Sequence, residues 1–193
     1  MPLYENERNA ENKIKVRKAW SNAIVFGSNE TMERIIKIIR SESRKKKRAI
    51  TVAFEGWYAV DWKSIVRLLG DACDSAELKM EMRNITSAMK SPEEIGKYKE
   101  PFSKPSDPSF GWVNKKGKLL DIMDLGKLAN LKKDLRKTKE RPMKDLTACI
   151  VYGAGAAIPE LNGPYDLRFY FDTTKESVLW TMWDGNLVPF GAT

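Results

Sequence analysis

A chain of 193 residues with 42% apolar and 31% charged residues has the length and balance of one globular domain with a sizeable core, which excludes a disordered chain. It contains no histidine, which excludes imidazole acid–base chemistry, Ser-His and Cys-His nucleophile pairs, and zinc sites that need imidazole. The net charge of +8 raises a nucleic-acid reading, and the two distant cysteines, Cys73 and Cys149, form neither a disulfide framework nor a CxxC metal clip.

A reducing cytoplasm is the expected setting. No apolar run approaches the roughly 18 residues of a membrane helix, and the start, Met1 to Asn6, lacks the basic-then-apolar pattern of a signal peptide. The densest basic run is Arg44-Lys45-Lys46-Lys47-Arg48, and a second covers Lys132-Lys133, Arg136-Lys137 and Lys139 to Arg141. Both fall at expected helix ends, where lysine complements the dipole, so they read as solvated helix termini in preference to a nucleic-acid face.

In chain order, residues 8–20 are expected to be helical and Ala23 to Phe26 a short strand. Ser28-Asn29 is placed to cap a helix whose Met32, Ile35, Ile36 and Ile39 share one face. Ala49 to Phe54 is a continuous β-branched and apolar run, the pattern of a strand buried on both sides, and it ends at Glu55-Gly56. Asp61 is expected to cap a helix that turns Ile65, Val66, Leu68 and Leu69 inward. Leu78 to Met82 alternates as a strand, and Pro92 opens a short helix. Pro101, Pro105 and Pro108 mark a loop, Leu119 to Leu135 returns to helical spacing, and Leu146 to Tyr152 is a second buried strand. Asp166 to Phe171 is a last strand, with Thr173 able to cap the helix after it.

Alternating strands and helices predict an α/β fold of three layers, with a mostly parallel sheet and helices on both faces. The expected division is an N-terminal extension, residues 1–47, packed on an α/β domain of residues 48–193, the two forming one compact unit.

The candidate site is the turn after the first buried strand. A strand, a glycine-containing loop and a helix N-terminus are the parts of a phosphate cradle. A working P-loop needs Gly, four residues, then Gly-Lys-Ser/Thr. Here Trp57, Tyr58, Ala59 and Val60 follow Gly56, but Asp61 and Trp62 come next, and Lys63-Ser64 arrives one residue late. An aspartate about 4–6 Å from a phosphate repels it. Trp57, Tyr58 and Trp62 also take up the room a triphosphate needs. They are read as packing that seals the turn, against the alternative that they stack on a base or sugar. Gly153-Ala154-Gly155-Ala156-Ala157 resembles half of a dinucleotide fingerprint, but the third glycine is missing, and Pro159 with Asn162-Gly163-Pro164 leaves no room for the long helix. A tight crossover between two strands is the better account.

The order of these pieces resembles the uridine kinase and phosphoribulokinase branch of P-loop kinases. The resemblance rests on Ala148 to Gly153, then on Tyr165-Asp166-Leu167-Arg168-Phe169-Tyr170-Phe171-Asp172, and on Asp107-Pro108-Ser109-Phe110. It spans roughly Ala49 to Asp184 and implies a kinase-like fold. The departures fall where that family does its chemistry. Trp62 stands at the Walker lysine, Arg83-Asn84-Ile85-Thr86 at the acidic base, Tyr152 at a glutamate, and Leu179 to Trp183 at the lid's arginine pair. Phosphoryl transfer is positioning and charge neutralisation, and one lost group costs about 3–4 kcal/mol of barrier. No catalytic residue and no cofactor are therefore expected.

The pattern Tyr152-Gly153-Ala154-Gly155-Ala156, Tyr165-Asp166-Leu167 and Asn186 to Gly191 is also similar to the kinase-like N-terminal module of some bacterial class I mannose-6-phosphate-isomerase-like proteins. There a metal-binding cupin barrel follows, which implies such a partner domain. The barrel's histidine ligands cannot come from this chain, so no metal site and no isomerase chemistry are expected within it. The ending Gly191-Ala192-Thr193 fits a chain cut at a domain boundary.

The expectation is a binding or regulatory module beside a sugar-phosphate enzyme, with carbohydrate metabolism as its context and no membrane partner. Any small-molecule ligand is expected among Glu55, Gly56, Trp57, Tyr58, Asp61, Lys63, Ser64 and Asp172 at the strand C-terminal ends. One alternative is an active nucleoside or sugar kinase, with Lys63 on ATP phosphate, Ser64 on magnesium and Asp172 as carboxylate partner. The other is a nucleic-acid module using Arg44 to Arg48.

Overall fold

The computed structural model describes residues 16–57, 59–104, 111–187 and 190–191. Its centre is strand β1 (Ile50–Gly56), buried at every position but Glu55. Successive side chains leave a strand on opposite faces, and β1 obeys this with apolar residues on both. Ile50, Val52 and Phe54 enter one apolar cluster, while Ala53 enters the other. Strand β3 (Ala148–Tyr152) divides the same way, with Ala148 and Ile150 on the first side and Cys149 and Val151 on the second. With β2 (Met80–Asn84) and β4 (Leu167–Phe171) these form a four-stranded sheet of order β2-β3-β1-β4 in which every pairing is parallel.

Helices cover both faces. On one side lie α2 (Ser28–Lys46) and α3 (Trp62–Ser75), whose Met32, Ile35, Ile36, Ile39 and Leu69 are buried against Ile50, Val52 and Phe54. On the other lie α4 (Pro92–Lys99) and α5 (Leu125–Thr138), with Ile95, Leu128 and Leu135 buried against Ala53 and Val151. Each such side chain contributes about 1.5–3 kcal/mol on burial. A single turn, α1 (Lys18–Ser21), precedes these elements, and α6 (Lys175–Trp183) follows β4. The protein is a three-layer α/β fold.

Four local expectations need correction. Ala23 to Phe26 is not a strand, and Phe26 is 82% exposed, since no strand among the described residues offers it a ladder. Ser28 is the first residue of α2, not its cap. Gly27 holds the N-cap position at φ 92°, a conformation open to glycine. The stretch from Leu119 to Leu135 is not one helix. A 3-10 turn at Leu119–Ile122 ends before Asp124, whose carboxylate accepts from the Lys127 amide at 2.9 Å and starts α5 afresh. Thr174, not Thr173, caps α6, accepting from the Ser177 amide. The expected helix over 8–20 falls largely outside the described residues, as does the Asp107-Pro108-Ser109-Phe110 region.

At the strands' N-terminal end, Asp166 ties three elements together. Its side chain is 4% exposed, and Arg48 grips it with two parallel bonds of 2.9 and 3.0 Å. The Thr51 amide donates at 3.0 Å, and Lys46 and Lys139 stand at 3.5 and 3.4 Å. Burial alone raises a carboxyl's pKa, but Arg48 and the Thr51 amide outweigh it and hold Asp166 well below the usual carboxylate range. Cys73 and Cys149 are both buried and unlinked, and burial pushes each thiol up to about 11.

Among the described residues, no helix is long and apolar enough to cross a membrane.

Candidate functional site

In an open parallel sheet the natural ligand crevice lies at strand C-terminal ends, between neighbours whose onward connections leave in opposite directions. That condition is met by β1 and β3. After β1 the chain travels by α3 to β2 at one edge, and after β3 it crosses to β4 at the other. The crevice is bounded by Glu55 and Gly56 on β1 and by Tyr152 and the loop from Gly153 on β3.

The loop is a nest of amides. Gly153 and Gly155 have φ of 119° and 100°, and a Cβ at either would come within 3 Å of Ile85 or Met123. This backbone aims the amides of Gly155 and Ala157 into the crevice, an arrangement that suits an anion. The anion it receives belongs to the chain. Glu55 accepts from the Gly155 amide at 2.9 Å through Oε1 and from the Ala157 amide at 2.6 Å through Oε2. Oε1 also takes the Gly56 amide at 3.1 Å. The glycine pair is a tight crossover, closed by a 3-10 turn at Pro159–Leu161, with no long helix behind it.

The second anion-binding element, the N-terminus of α3, is filled in the same manner. Asp61 caps the helix, accepting from the Ser64 amide at 3.1 Å. Hydrogen bonding from Ser64 holds its carboxyl below the ordinary aspartate value.

Beside these acids sits an indole. Trp62 lies against Tyr152 and Phe171, with ring centres 6.2 and 5.6 Å apart. Its buried N–H has no acceptor among the described residues. Gly56 must be glycine here, because a Cβ would stand 2.5 Å from the Phe171 carbonyl oxygen and 3.1 Å from the Trp62 ring.

The remaining candidates separate. Asp61, Ser64 and Asp172 line a cavity of about 500 Å³, together with Ser28 and Thr31 of α2. Asp172 is exposed and accepts from its neighbouring Thr173 amide at 2.8 Å. Lys63 is exposed and outside the cavity lining, and Trp57 is 48% exposed. Tyr58 lies outside the described residues. Glu55 and Gly56 face the crevice and not this cavity. A larger hollow of about 620 Å³ runs between α2 and α3, lined by side chains such as Glu33, Arg40 and Asp71.

Of the positions that depart from the kinase pattern, Arg83 and Asn84 hold structural duties. Arg83 bonds Asp134 at 3.2 Å and Glu81 at 3.4 Å, and Asn84 accepts from the Thr86 amide at 2.9 Å to begin a 3-10 turn. In α6, Leu179, Trp180, Met182 and Trp183 are all more than half exposed. Among the described residues no group of three or more Cys, Asp or Glu side chains is arranged to hold a metal ion.

The amides of Gly155 and Ala157 are site groups that the sequence did not single out as partners of Glu55. The glycine pair was the available signal, but its partner lies 100 residues away.

No protein of curated function matches the chain. Among solved structures it has a slight likeness to the Aeropyrum pernix ORC2 protein in its ADP form, at 11% identity and a TM-score of 0.35. That match covers 96% of this chain, which spans 57% of the other. Residues 31–193, and with them the entire sheet, the crevice and both acid-filled nests, match the family described as Domain of unknown function (DUF8485), to which the chain belongs.

Proposed function

We propose that this is a non-catalytic, kinase-like binding or regulatory module whose phosphate-handling end has been taken over by its own side chains. The observation that carries this reading is the Glu55 carboxylate on the Gly155 and Ala157 amides. A carboxylate in a nest of amides occupies the place of a phosphate oxygen and adds negative charge where a nucleotide would bring more. Asp61 repeats the arrangement at α3. By the sequence resemblance, Trp62 takes the position of the P-loop lysine, and its ring packs on Phe171.

The chemistry left to the module is binding. The 500 Å³ cavity offers the carboxylates of Asp61 and Asp172 and the hydroxyls of Ser28, Thr31 and Ser64, with no Lys or Arg among the described residues of its lining. Such a surface suits a neutral polyhydroxy or amine-bearing ligand and repels a phosphate. Association with a mannose-6-phosphate-isomerase-like enzyme, through a cupin partner domain in the cytoplasm, is the context that the sequence resemblance supports.

Calorimetry with ATP and magnesium, followed by turnover assays with nucleosides and sugars, tests the reading. No nucleotide uptake and no turnover are expected. Magnesium-dependent ATP binding, with turnover abolished by Lys63→Ala, would overturn it in favour of an active kinase.

A further inference from the structure

The two basic runs are remote in sequence and sit on opposite layers, yet the fold brings them to one end of the molecule. In a parallel sheet all strands start at the same end. Arg48 precedes β1, Lys79 precedes β2, Lys144 precedes β3 and Asp166 precedes β4. The C-terminal half of α2 and that of α5 end there too. The Ala49 amide donates to the Arg141 carbonyl at 2.9 Å, and Lys46, Arg48 and Lys139 converge on Asp166. Residues 40–48 and 132–144 hold thirteen of the 34 Lys and Arg but only three of the 26 acidic residues. Their surplus exceeds the +8 of the whole chain, so the rest of the protein is slightly acidic.

Some of this charge is spent inside the fold. Asp166 engages three cations, Glu42 takes Lys46, and Glu81 takes Arg141. Most of it is not. On α2 and its cap, Arg40, Arg44, Lys45 and Lys47 have no carboxylate partner among the described residues. On α5 the same holds for Lys132, Lys133, Arg136 and Lys137. The acids at this end are few: Asp74, Glu77, Glu140 and Asp145 are exposed there, and Asp134 is held by Arg83. Helix dipoles account for lysines in a last turn but not for a joint surface drawn from both layers. Between the layers lies a crevice of about 200 Å³, bordered by Arg40 and Arg44 on one side and by Glu77, Lys79, Met143 and Lys144 on the other, so that among the described residues four cations line it against one carboxylate.

From this convergence we infer that the strand N-terminal end is a docking face for the phosphodiester backbone of a nucleic acid. Two arginines at the lip of a narrow crevice can fork around a protruding phosphate, and the flanking lysines add point charges along the strand. A flat anionic bilayer is drawn by the same charge but cannot enter the crevice, and it gains little from apolar burial beside the cations. Among the described residues the crevice lining offers only two large apolar side chains, Met143 at 36% exposure and the more buried Leu78. With no aromatic residue among the described residues of the crevice lining, recognition is of backbone charge and not of base sequence. The face is opposite the Glu55 crevice, so it stands or falls independently of the function proposed above.

The test is fluorescence anisotropy of the full chain with labelled single- and double-stranded RNA and DNA, from about 50 to about 200 mM salt. Phosphatidylserine vesicles form a separate arm. Binding is expected with Kd of about 10⁻⁴ to 10⁻⁶ M near physiological salt, falling by about 0.9 log units per log unit of salt for each duplex phosphate neutralised. The relative affinities for RNA and DNA identify the source of the phosphodiester. Lys45→Gln with Lys47→Gln, and separately Lys133→Gln with Lys137→Gln, should each flatten the slope by about two phosphates' worth. Lys97→Gln, whose lysine pairs with Glu93 on α4, should leave it unchanged. Acetylation footprinting of the unaltered chain supplies a readout independent of variant folding: bound oligonucleotide should protect Lys45, Lys47, Lys133 and Lys137 but not Lys97. Absence of binding at about 50 mM salt, slopes indifferent to both pairs, or uptake by vesicles in place of oligonucleotides would overturn the inference.

Discussion

Arg48 and Asp166, 118 residues apart in sequence, form a two-pronged pair at 2.9 and 3.0 Å that fastens the start of β1 to the start of β4. Because the carboxylate also receives the Thr51 amide and faces Lys46 and Lys139, it is the shared counter-charge for the ends of α2 and α5.

Replacing that carboxylate should therefore be costly. Asp166→Ala leaves the Arg48 guanidinium and the Lys139 ammonium without their acid and Lys46 with Glu42 alone, and breaking a buried pair in this way costs about 3–5 kcal/mol. The three cations keep some water, at 27%, 34% and 25% side-chain exposure, which places the expected loss near the lower figure. Urea denaturation, comparing midpoints at unchanged slope, measures it.

The same residue sets an acid limit. Its folded-state pKa is depressed, so its contribution is fully present above the ordinary aspartate value of about 3.9 and is lost as pH falls from there toward the folded value. Stability should fall steeply from about pH 4 downward. In Asp166→Asn that part of the slope should vanish, leaving a weaker but flatter profile. Denaturation midpoints recorded across this range decide the point, and an unchanged slope would remove Asp166 as the cause.

Glu55→Ala empties the amide nest. Two charge-assisted bonds across the crevice are lost, each worth about 1.5–3 kcal/mol, offset in part by water reaching the amides of Gly155 and Ala157. A net loss of about 2 kcal/mol is expected by thermal denaturation, with faster amide exchange at those two positions. Glu55→Gln, which keeps an acceptor for one amide but not the charge, should fall between.

The parts of the fold that follow from local chemistry were readable in advance. Ala49 to Phe54 announces a strand through unbroken apolar, β-branched character, and Asp61 announces a cap four residues before the apolar periodicity that starts at Ile65. What a linear pattern cannot carry is an interruption by a competing bond or a partner far along the chain. Apolar spacing runs through Asp124 as though the helix were continuous, yet its side chain prefers the Lys127 amide. Glu55 looked like a ligand contact on β1, because nothing nearby in sequence reveals that amides at 155 and 157 will meet it. The convergence of two basic runs depended likewise on strand order, which no single segment states.

Both native thiols are buried and stay protonated far above neutral pH, with values near 11. Since only thiolate alkylates readily, the unaltered protein is expected to react little with maleimides. A probe attached through Lys47→Cys would thus report from one spot alone, giving a spectroscopic view of the cationic end without first stripping any sulfur from the interior.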